Sequence, residues 1–199
     1  RIGIVDAEVL GLYRAWERWA ADVSETHSTY PALLRFRSPN AYNSWVVALL
    51  AVMDSAAMYQ SIAPSQAPLE SRLALRMGFE CLRTIATTLG IPFDADPSPS
   101  DPIQLSREEF DEALARLRSV GFPIERDGDD GWRHFQGWRV NYERIVYALA
   151  WQLDVVPAQW SGPRRFGAKP LRTVRVVNRT PENPGGGSTE DFRTGGPSA

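Results

Sequence analysis

Apolar residues recur along residues 4–24 at Val5, Val9, Leu12, Trp16, Trp19 and Val23, spaced 4, 3, 4, 3 and 4. This heptad stripe is the seam spacing of packed helices, and it predicts an amphipathic helix with Asp6, Glu8, Arg14, Glu17, Arg18 and Asp22 on its other faces. The stripe is read as a candidate assembly surface. It is in phase from nearly the first residue with no N-cap before it, so an upstream segment is expected. The pattern breaks over 25–39, where Pro31 and Pro39 push Tyr30 and Ser38 out of the α region and predict a long loop.

A second helix is predicted over about 41–62, with Asn40 as N-cap and Asn43 and Ser44 as rivals. Trp45, Leu49, Val52, Ala56 and Tyr59 repeat the helical spacing, and Val46, Val47, Leu50 and Met53 make the segment apolar nearly all round. That is the signature of a central buried helix. Residues 45–63 are about long enough to cross a bilayer at ~1.5 Å per residue. Asp54 near the middle opposes this, at ~3 kcal/mol on insertion scales, so the segment is read as core.

Three further helices are expected, making about five in an irregular all-α bundle. One covers 69–89, carries Arg72, Arg76, Glu80 and Arg83 on a charged face, and ends at Gly90. One covers 107–120, opened by a Ser106/Glu109 capping box, ended by Gly121 and closed over by Phe122. One covers 132–154, ended by Pro157, with Trp160 folding back onto the core. Four prolines within 92–105 forbid a regular element there.

From Ser161 onward seven Arg/Lys stand against three Asp/Glu, so residues 161–199 carry about +4, while the chain as a whole carries −2. The tail is rich in Gly, Pro, Ser and Thr and is expected to be disordered. The domain is therefore expected to span 1–160. Its overall charge gives no reason to expect nucleic-acid binding; the basic tail is a candidate for anionic lipid head groups.

Chemistry-bearing residues are sparse. One cysteine, Cys81, excludes an internal disulfide and reads as a small core residue. There is no GxGxxG, P-loop, HExxH, GxSxG or CxxC, and no Glu-x-x-His pair of the di-metal bundle type. Asp127, Asp129 and Asp130 fall short of a calcium loop, since its twelfth position is Trp138. His134 has no histidine or cysteine at ligand spacing. No enzyme activity, cofactor or metal is expected. The remaining candidate is a buried polar network of Glu25, His27, Arg37 and Asp54, in which a carboxylate beside His27 would make it a pH sensor. The alternative is that these groups only tie the irregular loop to the central helix.

The run from Trp16 to Asp54 resembles the segment after the pore in a family of bacterial potassium-channel-like membrane proteins. Its members carry W-x-x-W-A-A, E-S-H-x-x-Y-P, F-R-S, N-x-S-W and A-L-x-A-x-L-D in that order. The matches here are Trp16, Trp19, Ala20, Ala21, Glu25, His27, Tyr30, Pro31, Phe36, Arg37, Ser38, Asn43, Ser44, Trp45, Ala48, Leu49, Ala51 and Asp54. Arg139, Tyr142, Glu143, Ala148, Leu149, Pro157 and Trp160 are similar to the family's R-x-x-Y-E, A-L-A and P-x-W endings. Thr26 stands where the family has Ser, Pro39-Asn40-Ala41 replaces a more polar stretch, and 64–130 has no close counterpart. The resemblance implies a cytoplasmic domain at the bacterial cell membrane. Its partners would be a pore domain missing upstream and other subunits of a homo-oligomer, and its role assembly or gating. It supplies no catalytic residue, and conduction would belong to the upstream part. The alternative function is a free-standing helical ligand-binding or sensor module.

Overall fold

The computed structural model describes residues 2–35, 43–126 and 128–162, with the main chain alone at 2–6 and 35. Among these the protein is all-helical: α1 Ile2–Thr29, a short 3₁₀ turn Pro31–Arg35, α2 Trp45–Ile62, α3 Leu69–Leu89, α4 Arg107–Ser119, α5 Gly128–Arg139 and α6 Glu143–Gln152. The six α-helices exceed the expected five because the segment 132–154 is two helices rather than one.

The first helix outruns its predicted end. The Thr26 hydroxyl donates to the Asp22 carbonyl at 2.7 Å, and Ser28 and Thr29 both donate to the Glu25 carbonyl at 2.9 Å. These back-bonds let hydroxyl residues continue the helix instead of competing with it. The stop comes at Tyr30, the residue before Pro31. Of the expected loop, 25–29 are thus helical and Pro31–Arg35 form the 3₁₀ turn, while residues 36–42 lie outside the described residues.

The buried face of α1 is offset from the predicted stripe. Tyr13, Ala20 and Val23 are buried, with Val9, Trp16 and Trp19 packed partly against the core, while Leu12 is 46% exposed. The deepest line is therefore 9, 13, 16, 20 and 23, and Leu12 and Trp19 flank it. Val5 lies outside the residues whose side chains are described. Ala20, with no side chain beyond Cβ, lies fully buried on α1, whose main contact is with α3.

The central helix is α2, packed against α3, α5 and α6. Its N-cap is Ser44, whose Oγ accepts from the Val47 N–H at 3.4 Å; Asn40, the expected cap, is outside the described residues. Among the described residues α2 is the one helix long and apolar enough to cross a membrane, and 56% of it is buried within the fold. Gly78 of α3 sits where an added Cβ would come within 2.8 Å of the Met53 sulfur, so its lack of a side chain is what lets α3 close on α2.

α3 ends as expected at Gly90, in the left-handed conformation at φ 67°, with the Ile91 N–H on the Ala86 carbonyl at 2.8 Å. α4 opens with the full Ser106/Glu109 capping box, and the Phe122 N–H closes on the Leu117 carbonyl at 3.0 Å. Cys81 is fully buried, and burial pushes its thiol up to about 12.

Asn141 divides the last expected helix. Its side-chain amide donates to the carbonyls of Gly137 and Trp138 at 2.9 and 3.0 Å, taking two carbonyls at the C-terminus of α5. The chain turns over Val140–Tyr142 and α6 begins at Glu143. The packed body also runs past residue 160: Ser161 is buried, and its Oγ accepts from the Ala158 N–H at 2.6 Å. The described residues end at Gly162, and the tail expected beyond it lies outside them.

Candidate functional site: a buried arginine network

The turn between α5 and α6 places Arg139, fully buried, at the centre of a polar network inside the core. Its Nη1 donates to Asp54 Oδ2 on α2 at 2.8 Å, and its Nε to Glu143 Oε1 at 2.9 Å. Its Nη2 donates to the Tyr147 hydroxyl at 3.0 Å and to the Trp160 carbonyl at 2.7 Å. Tyr142 donates its hydroxyl proton to Asp54 Oδ1 at 2.8 Å, and Tyr147 donates to the Trp160 carbonyl at 3.0 Å. Glu143 also accepts the Gln104 N–H at 2.6 Å and the Leu105 N–H at 3.0 Å. The rings of Phe135, Tyr147 and Trp160 stand 5.7–5.9 Å from the guanidinium carbon, adding cation–π contact in a dry setting.

Tyr142 and Glu143 stand three and four residues from Arg139, a spacing that groups side chains on one helix face, and across the turn between α5 and α6 they stay grouped. Arg139 and Tyr142 both reach Asp54, and Glu143 stays on Arg139. One network then joins α2, the turn after α5, the start of α6, the 104–105 linker and the C-terminal turn at Trp160.

The charge balance of the cluster sets its titration. Two carboxyl groups share one guanidinium in a water-excluded interior, and two buried anions against one cation are costly. Burial pushes the Asp54 carboxyl up to about 7, against the pull of Arg139 and Tyr142, with Glu143 pushing it further up. Arg139 is pulled by burial towards the neutral form, but the surrounding acidic groups, Asp54 foremost, raise it on balance. Burial raises the Tyr142 hydroxyl well above its ordinary range, reinforced by Asp54, and burial also raises Tyr147.

The predicted quartet of Glu25, His27, Arg37 and Asp54 does not gather among the described residues. Glu25 is exposed on the last turns of α1. His27 is half-buried there, with Nδ1 3.0 Å from Thr26 Oγ1 and its ring 6.3 Å from that of Trp45. Burial lowers its pKa, opposed by the Val23 carbonyl, so no carboxylate raises it as the network reading expected. Arg37 lies outside the described residues. Asp54 is nine residues along α2 from Trp45, ~13 Å at the helical rise, which separates it from His27. Asp54 thus belongs to a network as expected, but with Arg139, Tyr142 and Glu143 as partners.

Sequence reading passed over Arg139 as a site residue. The signal available was the R-x-x-Y-E string itself, an arginine and a glutamate four apart, together with one aspartate inside the apolar central helix needing a cation. His134 is exposed, 3.8 Å from Asp130. Among the described residues no group of three or more His, Cys, Asp or Glu is arranged to hold a metal ion. Comparison with protein-family models, curated proteins and solved structures finds no match to this chain.

Proposed function

We propose that this chain is a cytoplasmic assembly or gating domain of a bacterial ion-channel-like membrane protein, working with a pore-forming part upstream and with further copies of itself. The observation that carries this reading is where the two resembling segments meet. Asp54 closes the first, and Arg139, Tyr142, Glu143 and Trp160 belong to the second, more than eighty residues later; all five share the one buried network. A resemblance whose separated motifs converge on one structural unit is supported beyond the order of its letters. The network would then be a latch that holds the domain rigid, so that displacement of α1 is passed on to the bundle. No residue is assigned a catalytic role, and the domain would sit at the cytoplasmic face of the cell membrane. The tail's basic residues would lie near its anionic head groups.

The coding sequence upstream is the test. Two hydrophobic spans flanking a filter motif such as TVGYG are expected, and liposomes carrying the complete protein should pass potassium; an upstream sequence with no such spans rules the reading out. Light scattering on the 199-residue chain bears on assembly. A dimer or tetramer places the exposed side of α1, with Leu12, in a subunit contact, and a monomer leaves assembly to the membrane part. A free-standing ligand-binding module remains the second reading, favoured by the cleft described next.

A further inference from the structure

Next to the arginine network, with Asp54 and Trp160 on its lining, a cleft of about 540 Å³ opens between α1, α2, α4 and the turn at residues 159–160. Its size is that of sites for a single small molecule, which span roughly 300–1,000 Å³. The walls are apolar: Val9 from α1, Met58 and Ile62 from α2, Leu117 and Phe122 from the end of α4. On its lining the Trp160 indole N–H is a buried donor without a partner, while the carboxylate and hydroxyls that follow are engaged. Tyr13 and Ser55 are bonded to each other at 3.2 Å, and both Asp54 oxygens are taken by Arg139 and Tyr142. Of the two charged side chains on the lining, the other is Arg116, 68% exposed at the mouth. Its neighbour Glu112 is 3.9 Å away and equally exposed, a pair too solvated to hold the guanidinium.

An apolar channel whose mouth carries a cation and whose floor offers no open acceptor selects an amphiphile with a negative head. A cationic amphiphile would meet Arg116 and find no free carboxylate on the lining, to which Glu112 does not belong. The volume suits one acyl chain, and the two chains of a phospholipid would overfill it. We propose that this cleft binds a free long-chain carboxylate, its chain along Met58, Ile62, Leu117 and Phe122 and its head on Arg116. The site stands whether or not a pore lies upstream.

Dibromostearate tests it, because its bromines quench tryptophan fluorescence on contact and Trp160 lines the cleft. The 199-residue chain should show quenching that saturates at one molecule per chain, and the quenched fraction should fall in Trp160→Phe. Arg116→Glu, a surface change, should weaken binding about tenfold or more, and the uncharged dibromostearyl alcohol should bind wild type as weakly. Ala113→Phe should block the cleft; if its helical circular dichroism is lost, Ala51→Phe takes its place. Quenching that never saturates, or that is the same in Arg116→Glu and in the filled variant, overturns the proposal. So does binding to phosphatidylglycerol vesicles with no response to the free acid.

Discussion

The chain has two places where polar side chains crowd against its central helix, and they meet opposite fates. At the N-terminal end of α2, Glu25 and His27 ride on the last turns of α1, half or fully open to water. Nine residues further along α2, Asp54 is buried against Arg139, Tyr142 and Glu143. The first place is dense in polar letters and poor in buried contacts; the second is the reverse. Density in sequence marks groups that need partners, but a solvated helix end satisfies them as well as a network does. What marks a buried network is a lone charge inside an apolar helix, because only a partner from elsewhere in the chain can keep it there.

The sharpest way to break that contrast is to remove the cation. Arg139→Met should leave Asp54 and Glu143 facing each other in the core and cost roughly 3–5 kcal/mol, the usual loss when one member of a buried ion pair is deleted. Urea unfolding reads this directly. A loss below about 1 kcal/mol would mean that water reaches the carboxylates and that the site is not a closed network.

The pH dependence of stability follows next. Burial holds the Asp54 carboxyl at about 7 in the folded protein, against 3.8 for an ordinary aspartate. As pH rises from about 4, the unfolded chain releases this proton while the folded one keeps it, so unfolding gains. The stabilisation is present in full below about pH 4, is lost progressively up to about pH 7, and is constant beyond. The loss is on the order of a few kcal/mol. Asp54→Asn should flatten that slope in melting curves taken between pH 4 and pH 7. An equally steep slope in the variant would assign the titration to another group.

Tyr142→Phe removes one hydroxyl from the network and leaves Asp54 Oδ1 short of a donor. The expected loss is about 1–3 kcal/mol, the cost of an unsatisfied buried acceptor. Its additivity with Asp54→Asn is informative: the double variant should cost clearly less than the two singles summed, since they share one hydrogen bond.

Much of the fold was readable from pattern alone. The all-α class, the buried α2, the capping box at Ser106 and the stop at Gly90 follow from local chemistry that tertiary packing did not override. Two helix limits were not. The break was placed from Glu25 on the strength of Pro31 and Pro39, yet the hydroxyls of Thr26, Ser28 and Thr29 bond back onto the helix, which runs on to Thr29. The break at Asn141 carries neither Gly nor Pro, and an asparagine amide turned onto two carbonyls looks in sequence like an ordinary helical residue. The offset on α1 has a similar cause. A tyrosine and an alanine, Tyr13 and Ala20, took the deepest positions, and counting large apolar residues passes over both. The candidate site failed in its partners rather than in its anchor: Asp54 was chosen for sound reasons, but proximity in sequence favoured His27 over an arginine eighty-five residues away.

His27 supplies the smallest effect and completes the contrast. Its ring is half-buried, keeps one bond to the adjacent Thr26 and touches Trp45 through ring contact. A group in that position has water for its other nitrogen, so removing it strands no buried partner. His27→Ala should therefore cost less than about 1 kcal/mol, where membership of a buried network would cost about 1–3 kcal/mol. The pH response should also run the other way from that of Asp54. Burial lowers the pKa of His27 in the folded chain, so the folded protein resists taking up a proton that the unfolded chain accepts. Its contribution is present above the ordinary histidine range and is lost as pH falls through it, and His27→Ala should remove that small acid-side loss while leaving the Asp54 slope in place. Melting curves of the two single variants, taken over the same pH series, separate the two regions by the sign of their slopes. A His27→Ala protein that loses the Asp54-type slope would mean the two places are one network after all.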